Sequence, residues 1–182
     1  MACAQTLSGL ARDCSPNIGG IVAAWVINHA DVTAVTVTTG KISAITTTVI
    51  PGDTPSSVKF KKYNFRPSTS NFESTLNGSE ENGPQDVTTL INLVFGRMET
   101  TKRIEVEAFS WGELALIVKD GNGKFWYFGY DNPVFNPGGS TGSSGTARSD
   151  RNGYNVTLQD NSRTWPYEID SQIITTSLVD EV

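Results

Sequence analysis

The chain has 182 residues, 37% of them hydrophobic and 18% charged, with a net charge of −5 and a pI near 4.8. These values predict one domain over 1–182 that closes a full core without a metal or disulfide to rescue it, and 14 basic against 19 acidic side chains lack the positive field that draws proteins onto nucleic acid or anionic membrane. With one histidine and two cysteines, Cys3 and Cys14, catalytic candidates are few, and a structural zinc site lacks ligands because there is no CxxC pair and no second histidine.

The start, MACAQTLSGLARDC, has no basic stretch followed by an apolar one, so it reads as an N-terminal arm (about 1–17) and not as a signal peptide. Cys3 and Cys14 could pair or stay reduced, and the reduced, packed state is favoured because a large core has little need of a staple. The apolar run Ile18 to Ile27 contains two glycines and is about half the length that crosses a bilayer, so no membrane is expected and the product is read as soluble and intracellular.

Composition favours strands and tight turns, with 21 Thr and 15 Val. Residues 20–28, GIVAAWVIN, are apolar on both faces, as a strand buried between two layers must be. In 32–49, Val35 and Val37 alternate with Thr36 and Thr38, Gly40 permits a turn, and Ile42 and Ile45 carry a return strand, which predicts a β-hairpin. Val58 to Arg66, VKFKKYNFR, holds four cations, Lys59, Lys61, Lys62 and Arg66, interleaved with Phe60, Tyr63 and Phe65. Such a strip resembles a single-strand nucleic-acid platform. The preferred reading is a strand with aromatics inward and cations outside, at an exposed edge or against another subunit's acids.

Those acids follow at Glu73, Glu80, Glu81, Asp86 and Glu99. Glu80 and Glu81 make a poor catalytic pair, because neighbours on a strand or loop point apart. Strands are expected at 71–77 and 87–97, the second with Ile91, Leu93 and Phe95 on one face. Residues 98–111 can be a helix or an alternating strand. Helix is chosen, with Thr100 or Thr101 as cap, Gly112 as terminator, Ile104, Ala108 and Trp111 on one face, and Arg103 paired with Glu107. A second hairpin runs through 113–119, the turn DGNG at 120–123, and 124–130. Lys124 stands where a calcium loop needs an oxygen ligand, so the turn is read as a turn. Phe125, Trp126, Tyr127 and Phe128 are read as packing residues before sugar-stacking ones.

From Asp131 to Ser149 the chain is rich in Gly, Ser and Pro and reads as a long mobile loop that a neighbouring subunit could order. Strands are expected at 154–159 and 173–179, with Pro166 and Tyr167 marking the turn into the second. His29 reads as a turn or core-edge residue. The fold class is therefore mainly β: a β-sandwich or barrel of antiparallel strands with one flanking α-helix and a long Gly/Ser-rich loop.

The segments ARDCSPNIGGI, FGRMETTKRIE, ELALIVKDGNGKFWYFGYDNPV and GTARSDRNGYNVTLQDNSRTWPYEID, in this order, resemble structural proteins of bacteriophages and prophages over most of the chain. The layout is similar to that of phage tail-tube proteins. That resemblance implies a non-enzymatic virion component, made in the host cytoplasm, of which six copies form a ring by continuous sheet pairing, rings stack through loops and terminal arms, and other virion proteins are partners. It brings no catalytic residues, metal or cofactor. An acidic subunit suits a lumen with passive DNA contact, so Lys59, Lys61, Lys62 and Arg66 are expected to face a neighbour or the outside. The expected assembly surfaces are the hairpin (Val35, Val37, Ile42), the basic strand, and the loop with Asn132, Pro133, Gly138 and Gly139. A capsid decoration, head-completion or connector protein is the alternative within virions. A glycan-binding β-sandwich using Trp126, Tyr127 or Trp165 is the alternative outside that class.

Overall fold

The computed structural model describes residues 9, 17–50, 57–78, 85–175 and 177–180. Cys3, Cys14, Glu80, Glu81, nearly all of the N-terminal arm and most of the 51–57 turn lie outside the described residues. In chain order the elements are β1 (Ile21–Asn28), β2 (Val32–Thr38), β3 (Lys41–Thr47), β4 (Phe60–Asn64), β5 (Asn71–Gly78), β6 (Gln85–Gly96), α1 (Thr100–Trp111), β7 (Leu114–Asp120), β8 (Phe125–Phe128), β9 (Thr141–Ser143), β10 (Gly153–Ser162), β11 (Tyr167–Ile169) and β12 (Val179–Asp180).

Eight strands form one sheet in the order β12-β4-β1-β7-β8-β11-β3-β2, and four form a second in the order β5-β6-β10-β9. The mainly β fold with one helix is as the sequence predicts. Two short pairings, β11 with β3 and β12 with β4, are parallel where antiparallel strands were expected. The apolar run of β1 is explained by its place in the large sheet. Ala24 and Val26, with Leu114, Leu116, Val118 and Phe128, pack on Ile91, Leu93, Val156 and Leu158 of the small sheet. Trp25 and Ile27, with Ala115, Ile117 and Tyr127, face a second core with Ile42, Phe60 and Ile169. Val49 bridges Ser57 and Val58 N–H donates to Thr48 O at 2.9 Å, so the chain leaving β3 lies against the chain entering β4. The large sheet thus rolls around this second core.

The hairpin between β2 and β3 turns on Thr39 and Gly40, with φ of 51° and 79°, a two-residue turn whose twist matches the strands. The helix is present, but its details differ from expectation. Neither Thr100 nor Thr101 is the N-cap, which is Glu99 and makes no side-chain cap bond. Gly112 ends the helix at φ −81°, so left-handed freedom is not what it supplies. A Cβ there would stand 2.8 Å from the Ala108 carbonyl oxygen. The expected apolar face is turned outward, with Ile104 54% and Trp111 86% exposed, while Phe109 is buried. Phe109 stacks edge-on with Tyr63 at 5.2 Å and packs near Phe95 at 5.9 Å, so the aromatic cluster selects the inward face.

Two more expectations are corrected. In place of the strand expected over 173–179 there is a 3-10 turn at Ser171–Ile173, and strand pairing resumes only at Val179 in β12. Ile173 and Ile174 both pack on the second core, which consecutive residues of a strand cannot do because they point to opposite faces. Nor is 131–149 a loop waiting for a neighbour. Val134 is fully buried and exchanges both backbone hydrogen bonds with Leu114 at 2.8 Å, and Phe135 does so with Gln159. β9 pairs with Gly153–Asn155, and the Asp150 carboxylate accepts from the N–H groups of Thr146 and Ala147 at 2.8 and 2.7 Å.

Burial on both faces of β7 is expected to make Leu116→Ala and Ile117→Ala each cost about 2–5 kcal/mol, whereas Ile104→Ala should change stability by less than about 0.5 kcal/mol. Urea unfolding at one protein concentration checks this. A large loss for Ile104→Ala would refute the outward assignment of that helix face.

Candidate functional site

The expected assembly residues do not form one site. Val35 and Val37 on β2 are half-buried against the second core, while Ile42 on β3 is fully buried in it. Ile42 is therefore a core residue and not a contact surface. The basic strand is no strip either, since Lys61 and Lys62 are consecutive on β4 and point to opposite faces. Lys61 donates to the Asp180 carboxylate, and Lys61 first and Lys59 more weakly hold that carboxyl below the usual range. The Lys62 ammonium sits 5.9 Å from the Trp25 ring centroid. Arg66 is exposed. β12 pairs with Phe60 and Lys61, so β4 is covered at Lys61, while among the described residues no strand pairs with Lys62 on that side.

The acids proposed as the cations' complement in another subunit are partly used within the chain. Glu99 pairs with Arg97 at 2.9 Å and Lys102 at 3.7 Å. Glu168, which drew no notice in sequence, takes Lys124 at 2.9 Å and Lys41 at 3.0 Å on one oxygen. Lys124 and then Lys41 hold it below its ordinary value. These three side chains line a polar cleft of about 330 Å³ with Asn122, Phe125 and Asp170.

On the third expected surface, Asn132 Nδ2 donates to Asn161 O at 2.8 Å, and Pro133 is half-buried beside buried Val134. Gly138 and Gly139 are exposed, take φ of 101° and 84°, and have open space where a side chain would stand. Of the three rings offered for stacking, Tyr127 is buried. Trp126 is half-buried, its indole donating to Asp120 at 3.0 Å. Trp165 alone of the three is exposed.

Sheet edges supply the surface that sequence reasoning passed over. β2 is an edge strand, but its pairing with β3 is interrupted by two irregularities, which blunt an edge by twisting it. β5 pairs with β6 in unbroken register from Asn71↔Asn92 to Gly78↔Gln85. It has no bulge, proline or lysine, and Glu73 is its one charge. Among the described residues no strand covers its other side. The outer face of this sheet, set by alternation against buried Ile91, Leu93, Val156 and Leu158, carries the acids Glu73 and Asp86 and exposed Leu90 among hydrogen-bonded amides and hydroxyls. Thr157 Oγ1 donates to Asn92 at 3.1 Å, Asn77 to Thr88 Oγ1 at 2.8 Å, and Gln159 to Asn161 Oδ1 at 2.9 Å.

One buried carboxylate was also missed, although the alternation of Val156 and Leu158 extends to it. Asp160 is 3% exposed and accepts from Gly129 N–H at 3.2 Å. His29 Nε2 lies 3.1 Å from the Gly129 carbonyl oxygen, so it holds the other side of the same residue. Burial pushes the Asp160 carboxyl up to about 6, the Gly129 N–H opposes this, and the charge of Asp131 adds to it. Asp131 in turn accepts from Ser162 Oγ and Arg163 N–H at 3.1 and 2.8 Å. Among the described residues no three His, Cys, Asp or Glu side chains gather to hold a metal ion, and no helix is long and apolar enough to cross a membrane.

No family model matches the chain, and no curated protein or solved structure matches it.

Because Asp160 ionises at a higher pH folded than unfolded, the native state holds the extra proton between about pH 4 and 6. Stability should therefore fall as pH rises through that window and level off above it. Asp160→Asn, which keeps an acceptor for Gly129, should remove this slope and raise stability at pH 7 by about 1–2 kcal/mol. Denaturant unfolding from pH 4 to 8 tests it, and an unchanged slope in the variant would assign the titration elsewhere.

Proposed function

We propose that this chain is a non-enzymatic structural subunit that works by self-assembly in a tailed-phage particle, in the manner of the tail-tube proteins its sequence resembles. The observation that carries the reading is the β5 edge. An unprotected strand of eight residues is a hazard to a protein meant to stay monomeric and a ready contact in one meant to continue its sheet into a neighbour. The outward stripe of Ile104, Ala108 and Trp111 adds apolar surface of the kind that marks contact sites. His29, the chain's one imidazole, is engaged with a backbone carbonyl, which speaks for a structural role. The strands of the small sheet turn Glu73 and Asp86 outward and no lysine or arginine, which repels a phosphate backbone, in keeping with passive DNA contact in a lumen.

Light-scattering mass over a concentration series, with negative-stain imaging, tests the proposal. Wild-type protein should form rings or filaments with a mass near six times the 19.7 kDa subunit. Thr75→Lys, on the exposed side of β5, should abolish them with unchanged far-UV circular dichroism. A wild type that is monomeric or trimeric at every concentration would sink the tail-tube reading and favour a decoration or head-completion protein, or a glycan-binding module if it retains sugars. Assembly by Thr75→Lys equal to wild type would remove β5 from the contact.

A further inference from the structure

Inside the roll of the large sheet, two polar atoms find no acceptor or donor among the described residues: the indole Nε1 of Trp25 and the hydroxyl of Tyr127. Trp25 is 5% and Tyr127 1% exposed, so bulk solvent does not serve them. The two residues are linked by register. Trp25 is opposite Ile117 and Ile117 is opposite Tyr127, so they stand in one row on one face of β1, β7 and β8. Their backbones are two strand spacings apart, about 10 Å. Trp25 packs on Phe125 with ring centroids 5.7 Å apart, which carries the indole across β7 toward the strand that holds Tyr127. Both rings belong to the same buried cluster.

Buried N–H and O–H groups in native proteins are almost always paired, and one left unpaired bears the full cost of its desolvation. Two donors facing one closed interior call for a small neutral acceptor. An apolar ligand would leave both unserved, and an anion spanning them would meet Lys62 at the Trp25 ring but the like charge of Asp160 at Tyr127. We propose that the roll holds ordered internal water that accepts hydrogen bonds from Trp25 Nε1–H and Tyr127 Oη–H and forms part of the folded structure.

A crystal structure of the full chain near 1.5 Å resolution and the melting temperature of Tyr127→Phe test this together. Ordered density about 2.7–3.2 Å from both polar atoms is expected. Tyr127→Phe, which keeps the ring and loses one hydrogen bond, should melt about 2–4 °C lower at the same protein concentration. Absence of density within that distance of either atom would overturn the proposal for that atom. An unchanged or higher melting temperature would overturn it for Tyr127, because deleting a hydroxyl that had no partner relieves a cost.

Discussion

Three adjacent strands with no solvent face impose the main constraint on this fold. β1, β7 and β8 are covered on one side by the small sheet and on the other by the rolled ends of their own sheet. A strand in that position has to be apolar at consecutive positions rather than alternate ones. Ala23 to Ile27 and Leu114 to Val118 satisfy this without a polar residue. Each strand is also paired along both edges, so its backbone groups are satisfied in a region that water does not reach. Trp25 and Tyr127 bring polar atoms into that region, which is why those atoms stand out.

Charge is displaced to the periphery, and part of it is paired there. Lys61 goes to Asp180, Lys41 and Lys124 to Glu168, and Arg97 and Lys102 to Glu99. Exposed pairs of this kind contribute little to stability, but they determine which cations remain available to a partner. Asp160 is the exception that reaches the interior. Its carboxylate faces the sandwich core, and its pairing with Gly129, itself tied to His29, fastens the end of β8 beneath β10. The segment that follows starts from this fastening and is held again at Val134. A Gly- and Ser-rich stretch is thereby ordered by its own chain.

The candidate surfaces differ in how well they are guarded. β2 has its irregular pairing, β12 is two residues long and β9 three. β5 has none of these protections, and its sheet turns amides and hydroxyls outward together with Glu73, Asp86 and Leu90. An exposed tryptophan on α1 and an open strand on the small sheet are the two features on which the proposed assembly rests.

The sequence by itself determined the features that depend on local geometry or on composition over a few residues. Among these are the mainly β class, the double-sided burial of β1, the turn at Thr39–Gly40, the hairpin around Asp120–Gly123, and a helix ending at Gly112 with Arg103 against Glu107. Only the tertiary structure decided which face of that helix turns inward, because Ile104, Ala108 and Trp111 make as good an apolar stripe as Val106 and Phe109 until the rings of Tyr63 and Phe95 are in place. It also decided that Ile42 is core, that the cations of β4 part to two faces, that Ile173 and Ile174 share one core across a turn, and that β5 is left uncovered among the described residues. Each of these depends on which distant strand becomes a neighbour. Pairing across tens of residues leaves no periodic trace in either partner, so it can be read only once the chain has folded.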